Sequence, residues 1–310
     1  MLKLHLDTDL GGDIDDLCAL TMVLNWPDAE LVAVTTVAEH QGKRAGYVRY
    51  VLDIADREDI PVAAGADASL DCYRSWQGLP DEAVYWPELI PPAPTSLDHA
   101  LTLLERSIEQ DATIAAIGAF TNLALVEKRS PGILSSAKLY LMGGYVFPPR
   151  EGFPSWGNEI DFNAQIDVQS AQYVIEHSNP TFVPLAVTVE TSLRRAYLAV
   201  LRQSGPLAQL IARQAEAFAR DENYEARHGQ TCKGLPGDII NFQHDSLACA
   251  IALGWNEGVE IRELPLKSEI KDGWLCHAID ESGKPTRVVT RVNGDKFNEF
   301  WLSTVMGEKD

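Results

Sequence analysis

Short aliphatic runs alternate with segments of helical period along this chain, and that alternation limits the folds open to it. Residues 2–6, 31–37, 113–117, 138–142, 181–187 and 259–264 read as strands. Between them, Ala45, Val48, Leu52 and Ala55 share one helical face; so do Leu97, Ala100, Leu101, Leu104 and Ile108, and Leu207, Leu210, Ile211, Ala215 and Phe218. Strands alternating with helices predict βαβ units, hence an α/β fold: an open, mostly parallel sheet with helices on both faces and right-handed crossovers. Near the end the pattern changes. Residues 274–279 and 287–292 flank the turn-rich stretch 280–285, which predicts a small antiparallel hairpin at the sheet edge, followed by a helix over 294–306. No linker divides the 310 residues, so one domain over 1–310 is expected.

Charge and cysteine content narrow the function classes. Lys plus Arg number 26 against 45 Asp plus Glu, a net charge of −19. Such a chain is repelled by nucleic-acid phosphates and anionic lipid, so neither nucleic acid nor membrane is an expected partner; a neutral small molecule or a cation suits it better. The five cysteines (Cys18, Cys72, Cys232, Cys249 and Cys276) are odd in number and lack C-x-x-C spacing, which speaks against a disulfide framework or a zinc site. Lys3, His5 and Asp7 interrupt any apolar leader at the N-terminus, and no run of about 18 apolar residues is present, so the cytoplasm is the expected compartment. Three connections, 66–96 with Trp76 and Trp86, 144–162 with Trp156, and 221–243 with Tyr224, Arg227 and His228, exceed simple turns; loops of that length in a compact domain are commonly functional.

The sharpest local feature is Asp7-Thr8-Asp9-Leu10-Gly11-Gly12-Asp13-Ile14-Asp15-Asp16: five carboxylates in ten positions, directly after the first strand. Two like charges about 4 Å apart repel by roughly 4 kcal/mol at an effective dielectric of 20. Several together need protonation or a cation, and an oxygen-only donor set suits calcium or magnesium. Helix capping and the macrodipole account for Asp13, Asp15 and Asp16, but not for Asp7 and Asp9 at the end of an apolar strand. An EF-hand does not fit: counted from Asp7, its fifth and twelfth positions fall on Gly11 and Cys18.

In these residues the sequence resembles the nucleoside hydrolases, the inosine–uridine-preferring nucleoside N-ribohydrolase family, which opens with a strand, an Asp-x-Asp turn, a glycine and an Asp-Asp pair. The match continues in order: Ala33-Val34-Thr35-Thr36-Val37, then Gly118-Ala119-Phe120-Thr121-Asn122-Leu123, Leu141-Met142-Gly143-Gly144, Asp161-Phe162-Asn163 with Ile166-Asp167, and His244-Asp245 before Leu247-Ala248. Two departures stand out. Two extra residues, Asp13 among them, precede the Asp15-Asp16 pair, and Glu39-His40 stands where the family commonly has Gly-Asn.

The resemblance implies calcium-dependent hydrolysis of the N-glycosidic bond of a ribonucleoside, giving ribose and free base through a transition state with positive charge on the sugar. It implies carboxylate metal ligands at Asp9, Asp16 and Asp245, with a backbone carbonyl from Ile117. Asp9 would also be the general base toward metal-bound water. Asp15 would accept from the ribose 2′-hydroxyl, Asn163 would bind ribose hydroxyls, and Asp161 and Asn158 would reach the 5′-hydroxyl. His40 would stand near the attacking water, and His244 is the candidate acid beside the leaving base. The resemblance also implies a dimer or tetramer and a role in purine or pyrimidine salvage.

Two other functions compete. A haloacid-dehalogenase-like phosphohydrolase also opens strand–Asp-x-Asp, with Asp7 as nucleophile and Asp9 as acid/base; Leu10-Gly11 stands where that family expects Gly-Thr. A non-catalytic ribose or nucleoside binder on the same scaffold is motivated by Glu39-His40 and by Asp13.

Overall fold

A computed structural model describes residues 1–70 and 78–307; Cys72 and Trp76 lie outside the described residues. Its strands are β1 (Leu2–Thr8), β2 (Ala29–Thr36), β3 (Val62–Ala64), β4 (Thr113–Ala116), β5 (Lys138–Met142), β6 (Thr181–Val183), β7 (Ser192–Arg194), β8 (Ile239–Phe242), β9 (Glu260–Lys271), β10 (Trp274–Ile279) and β11 (Lys284–Arg291). Nine of them form one sheet in the order β10-β9-β11-β6-β5-β4-β1-β2-β3, and β7 and β8 form a separate antiparallel pair. From β6 to β3 all neighbours are parallel, and β11 joins β6 in parallel. The longer helices are α1 (Asp15–Leu24), α2 (Lys43–Asp53), α3 (Leu97–Glu109), α4 (Thr121–Arg129), α5 (Val168–His177), α6 (Pro206–Glu222), α7 (His244–Ala252) and α8 (Gly294–Met306).

The period-2 alternation of the strands divides the core into two layers. On β4, Ala115 and the following Ile117 belong to the buried cluster that includes side chains of α1, α2, α6 and α7, whereas Ile114 and Ala116 belong to the one that includes α3, α4 and α5. On β5, Leu139 and Leu141 belong to the second layer and Met142 to the first. A parallel sheet covered on both faces needs such residues on both sides of each strand. The expected α/β architecture is therefore present.

The C-terminal edge is antiparallel, as expected, but its pairing differs. Residues 274–279 and 287–292 do not pair with each other. The twelve-residue β9 lies between them and pairs antiparallel with both β10 and β11. The cause is the Asp272-Gly273 turn, where both residues take positive φ (51° and 78°) and reverse the chain between β9 and β10. Asp-Gly between alternating residues is a strong hairpin signal, and it outweighs the longer turn at 280–285. The strand expected over 181–187 stops at Val183, because Pro184 follows and residues Leu185–Thr188 turn helical. Three short strands, β3, β7 and β8, carry too few residues to show a period. The final helix occupies Gly294–Met306, as expected, with the Asn293 side chain accepting from Lys296 N–H at its start.

Candidate active site

β1 ends at Thr8, and the chain then turns through Gly11 (φ 108°) into α1, so Asp15 and Asp16 occupy the first turn of that helix. Asp245 occupies the first turn of α7, which packs against α1. Both helix N-termini point partial positive charge at carboxylates. One oxygen each from Asp15, Asp16 and Asp245 lies within 4.8 Å of the others, and all three residues are buried. Burial, and then the neighbouring carboxylates, push all three well above the usual carboxylate range. Such a group holds full charge only beside a counter-charge. The Thr8 hydroxyl donates to Asp16 Oδ1 and fixes its orientation.

These acids line a cavity of 530 Å³ at the carboxyl ends of the strands, where ligands sit in open α/β sheets. Asp9 and Asp13 line it too. Asp9 is held in a close gap: a Cβ at Gly118 would lie 2.9 Å from Asp9 Oδ1 and 2.7 Å from Val37 Cγ1. Asp7, the fifth acid of the motif, is absent from the lining. Its Oδ1 accepts from Thr35 Oγ1 at 2.5 Å and Asn122 Nδ2 at 2.8 Å on the far side of β1, fully buried. A nucleophilic Asp7, as the phosphohydrolase reading requires, is out of reach of a substrate in this cavity.

The next strand ends supply polar groups. The carbonyl of Ile117, just past β4, accepts from Asn163 Nδ2 at 2.8 Å, and Asn163 also bonds Met142 O at 3.2 Å. Gly143 and Gly144, both at positive φ, close β5 and bring Gly144 N–H to Asp161 Oδ2 at 2.7 Å. Among the described residues Asp161 Oδ1 is buried without a hydrogen-bond partner, and burial pushes this carboxyl up to about 7. His244 also lines the cavity, with Nδ1 2.7 Å from the Thr188 hydroxyl. Desolvation pulls its imidazole down to about 3, so the ring is neutral at pH 7. The aromatic side of the cavity is built by Trp156, Tyr224 and His228, with Trp156 edge-on to His228 at 5.4 Å, Tyr224 edge-on to it at 4.8 Å, and Arg227 over the Tyr224 ring at 5.3 Å.

Asp9, Asp15, Asp16, Ile117, Asp161, Asn163, His244 and Asp245 thus share one cavity. Two expected site residues stand outside its lining. His40 is exposed, its backbone N–H donating to Glu39 Oε2. Asn158 donates to Leu275 O and Cys276 Sγ on β10. The Glu39-His40 departure has a structural role: Glu39 Oε1 accepts from Thr36 Oγ1 (2.5 Å) and Ala45 N–H (2.8 Å), capping α2 where its Gly42 cap has no side chain. That helix carries Arg44, fully buried, whose Nε donates to Ala38 O (2.8 Å) and Nη1 to Leu10 O (3.2 Å). Its charge opposes the desolvation of Asp9 and Asp16. Nothing in the sequence marks Arg44 as different from a solvated helix arginine. Trp156 and Phe162, also in the lining, came only as members of a long aromatic loop and a motif.

Residues 4–299 match the model of a family described as inosine-uridine preferring nucleoside hydrolase. The chain is similar to the pyrimidine-specific ribonucleoside hydrolase RihA of Klebsiella pneumoniae subsp. pneumoniae (29% identity over 238 residues, 72% of this chain and 74% of that protein). It is also similar to that of Salmonella schwarzengrund (30% over 230 residues, 70% and 71%). Among solved structures, an inosine-guanosine nucleoside hydrolase superposes with a TM-score of 0.77 at 19% identity, covering 100% of both chains. A purine-preferring ribonucleoside hydrolase from Gardnerella vaginalis superposes with 0.77 at 20% identity, covering 98% of each.

Proposed function

The chain belongs to the inosine-uridine preferring nucleoside hydrolase family, and we propose that it hydrolyses the N-glycosidic bond of a ribonucleoside with calcium seated among its cavity aspartates. The observation that carries this reading is the convergence of Asp15, Asp16 and Asp245 at two helix N-termini, in one cavity with Asp161 and Asn163. The donors fit a hard cation: oxygens of Asp15, Asp16 and Asp245 lie close together and are raised by burial and then by neighbouring carboxylates, and Asp9 lines the same cavity. Asp9, Asp16 and Asp245 would hold the ion with the Ile117 carbonyl, which keeps a second lone pair beside its bond from Asn163. A divalent cation held by these residues would supply Lewis acidity toward a water and toward ribose hydroxyls.

The remaining work falls to the chain's own side chains. Asp9 takes the proton of the attacking water. Asp15 accepts from the 2′-hydroxyl, Asn163 binds the ribose diol, and the open Oδ1 of Asp161 accepts from the 5′-hydroxyl. Positive charge growing on the ribosyl ring is favoured by the negative field of the same carboxylates. His244 acts as a neutral imidazole. The Thr188 hydroxyl lies 2.7 Å from Nδ1 and 3.3 Å from Leu185 O; donated to Nδ1, its proton would leave the ring proton on Nε2. An Nε2–H donor stabilises the negative charge that builds on the departing base.

Ribose release from a panel of purine, pyrimidine and modified ribonucleosides tests this. Turnover of at least one substrate, lost on chelation and restored by calcium, is expected. Tight binding with substrate recovered intact would leave a nucleoside binder in its place.

A further inference from the structure

Asp13, which comes with the two extra residues, has a role that the ribose and metal assignments leave unused. It is half-buried in the cavity wall. All three of its hydrogen bonds end on one oxygen: Oδ1 accepts from Ile14 N–H, from Asp15 N–H at 3.4 Å and from Asn241 Nδ2 at 2.5 Å. Oδ2 has no hydrogen bond among the described residues. The carboxylate is thereby clamped, with one acceptor oxygen saturated and the other left for whatever enters. Asn241, on β8, lies three residues before His244, the group assigned to the departing base, and Asp13 lines the same cavity as Tyr224 of the aromatic wall. Asp13 is therefore tied by hydrogen bonds to Asp15 on the metal side and to Asn241 of β8, and shares the cavity with His244 and Tyr224.

Resting on the hydrolase reading, we propose that Asp13 is a specificity-determining residue whose free carboxylate oxygen accepts a hydrogen bond from an exocyclic amine of the nucleobase, selecting amino-bearing bases over their oxo counterparts. Cytosine and uracil, and adenine and hypoxanthine, differ at an exocyclic amine donor replaced by a carbonyl acceptor, with the adjacent ring nitrogen changing from acceptor to N–H donor; the contact proposed is to the exocyclic position. A carboxylate oxygen gains a charge-assisted bond with the first and meets acceptor against acceptor with the second.

Asp13→Asn gives a sharp test because the clamp fixes the amide. Three donors to Oδ1 require the carbonyl oxygen there, so the amide NH₂ takes the place of Oδ2 and turns an acceptor into a donor. The readout is the ratio of kcat/KM for cytidine over uridine and for adenosine over inosine, together with the ratio of Kd values by calorimetry on metal-stripped protein. In the wild type each ratio should favour the amino member by about tenfold or more. Asp13→Asn should reverse the preference, and Asp13→Ala should bring the ratios near one. Variants that weaken both members of each pair equally, or an unchanged preference in Asp13→Asn, overturn the proposal and return Asp13 to the ribose or metal side. Absence of hydrolysis with the Kd ratios still reversing overturns the hydrolase reading and leaves this one standing.

Discussion

Asp245 and Asp15 stand in the first turns of two helices that pack together, and their carboxylate oxygens lie within 4.8 Å of each other although they come from opposite ends of the chain. Folding alone does not favour that meeting, because burial and mutual repulsion raise both groups far above their usual range. The helix dipoles offset part of the cost, at about 1 kcal/mol for each terminus. On the proposed reading, a bound cation would offset the rest.

Asp245→Asn should weaken calcium binding by at least about tenfold to a hundredfold, since it removes one anionic ligand from an oxygen-only set. Turnover should fall with it. Without metal, the variant should be more stable than the wild type, because it relieves the crowding of charge. Calorimetry and urea unfolding, each in chelator and in calcium, read both effects. Equal calcium affinity in the two proteins would move the ion away from Asp245.

Gly118→Ala places a methyl group 2.9 Å from Asp9 Oδ1 and 2.7 Å from Val37 Cγ1. Overpacking of this kind costs about 1–3 kcal/mol. Displacing Asp9, the proposed general base, should cost roughly a hundredfold in kcat, with a much smaller change in KM. A KM effect without a kcat effect would argue against Asp9 as the base.

Arg44→Met should destabilise the fold by roughly 3 kcal/mol, seen as a lower urea midpoint. It strands the Ala38 and Leu10 carbonyls that the guanidinium ties together behind the acid cluster. Arg44→Lys keeps the charge but not the fork, and should recover only part of the loss.

Acid stability should depend on His5, which is fully buried between Ser107 Oγ (2.8 Å from Nδ1) and Thr35 Oγ1 (2.9 Å from Nε2). Burial holds its imidazole down to about 3. Unfolded, the ring takes a proton below about pH 6.5, while the folded ring stays neutral to about 3. The unfolded state then binds more protons, so stability falls as pH drops from 6.5 toward 3, by up to about 1.4 kcal/mol per pH unit. His5→Gln should flatten that slope in thermal melts between pH 4 and 6.5. An unchanged slope would mean that other groups set it.

The architecture was legible because its signals are periodic. Strand–helix alternation, the apolar faces around Leu104 and Leu210, and the final helix over 294–306 all appear as expected. The order of the edge strands was not, because a two-residue Asp-Gly turn competes with a longer turn-rich stretch, and composition alone favours the longer one. In the site, motif residues at strand ends and helix starts meet in the cavity, since topology fixes their place. Asn158 and His40 fall outside its lining because each sits in a connection whose path depends on contacts with distant residues: Leu275 for the first, the Gln41 N–H bond to Asp67 for the second. Arg44 and the Asp13–Asn241 clamp were invisible for the same reason, as each joins segments that no local pattern links.

A crystal grown with calcium and ribose tests the central claim most directly. The account predicts one ion per chain in the aspartate cavity, with oxygens of Asp16 and Asp245 at about 2.3–2.6 Å and the sugar diol completing its shell. An empty aspartate cluster at saturating calcium, or ribose bound elsewhere in the fold, would contradict it.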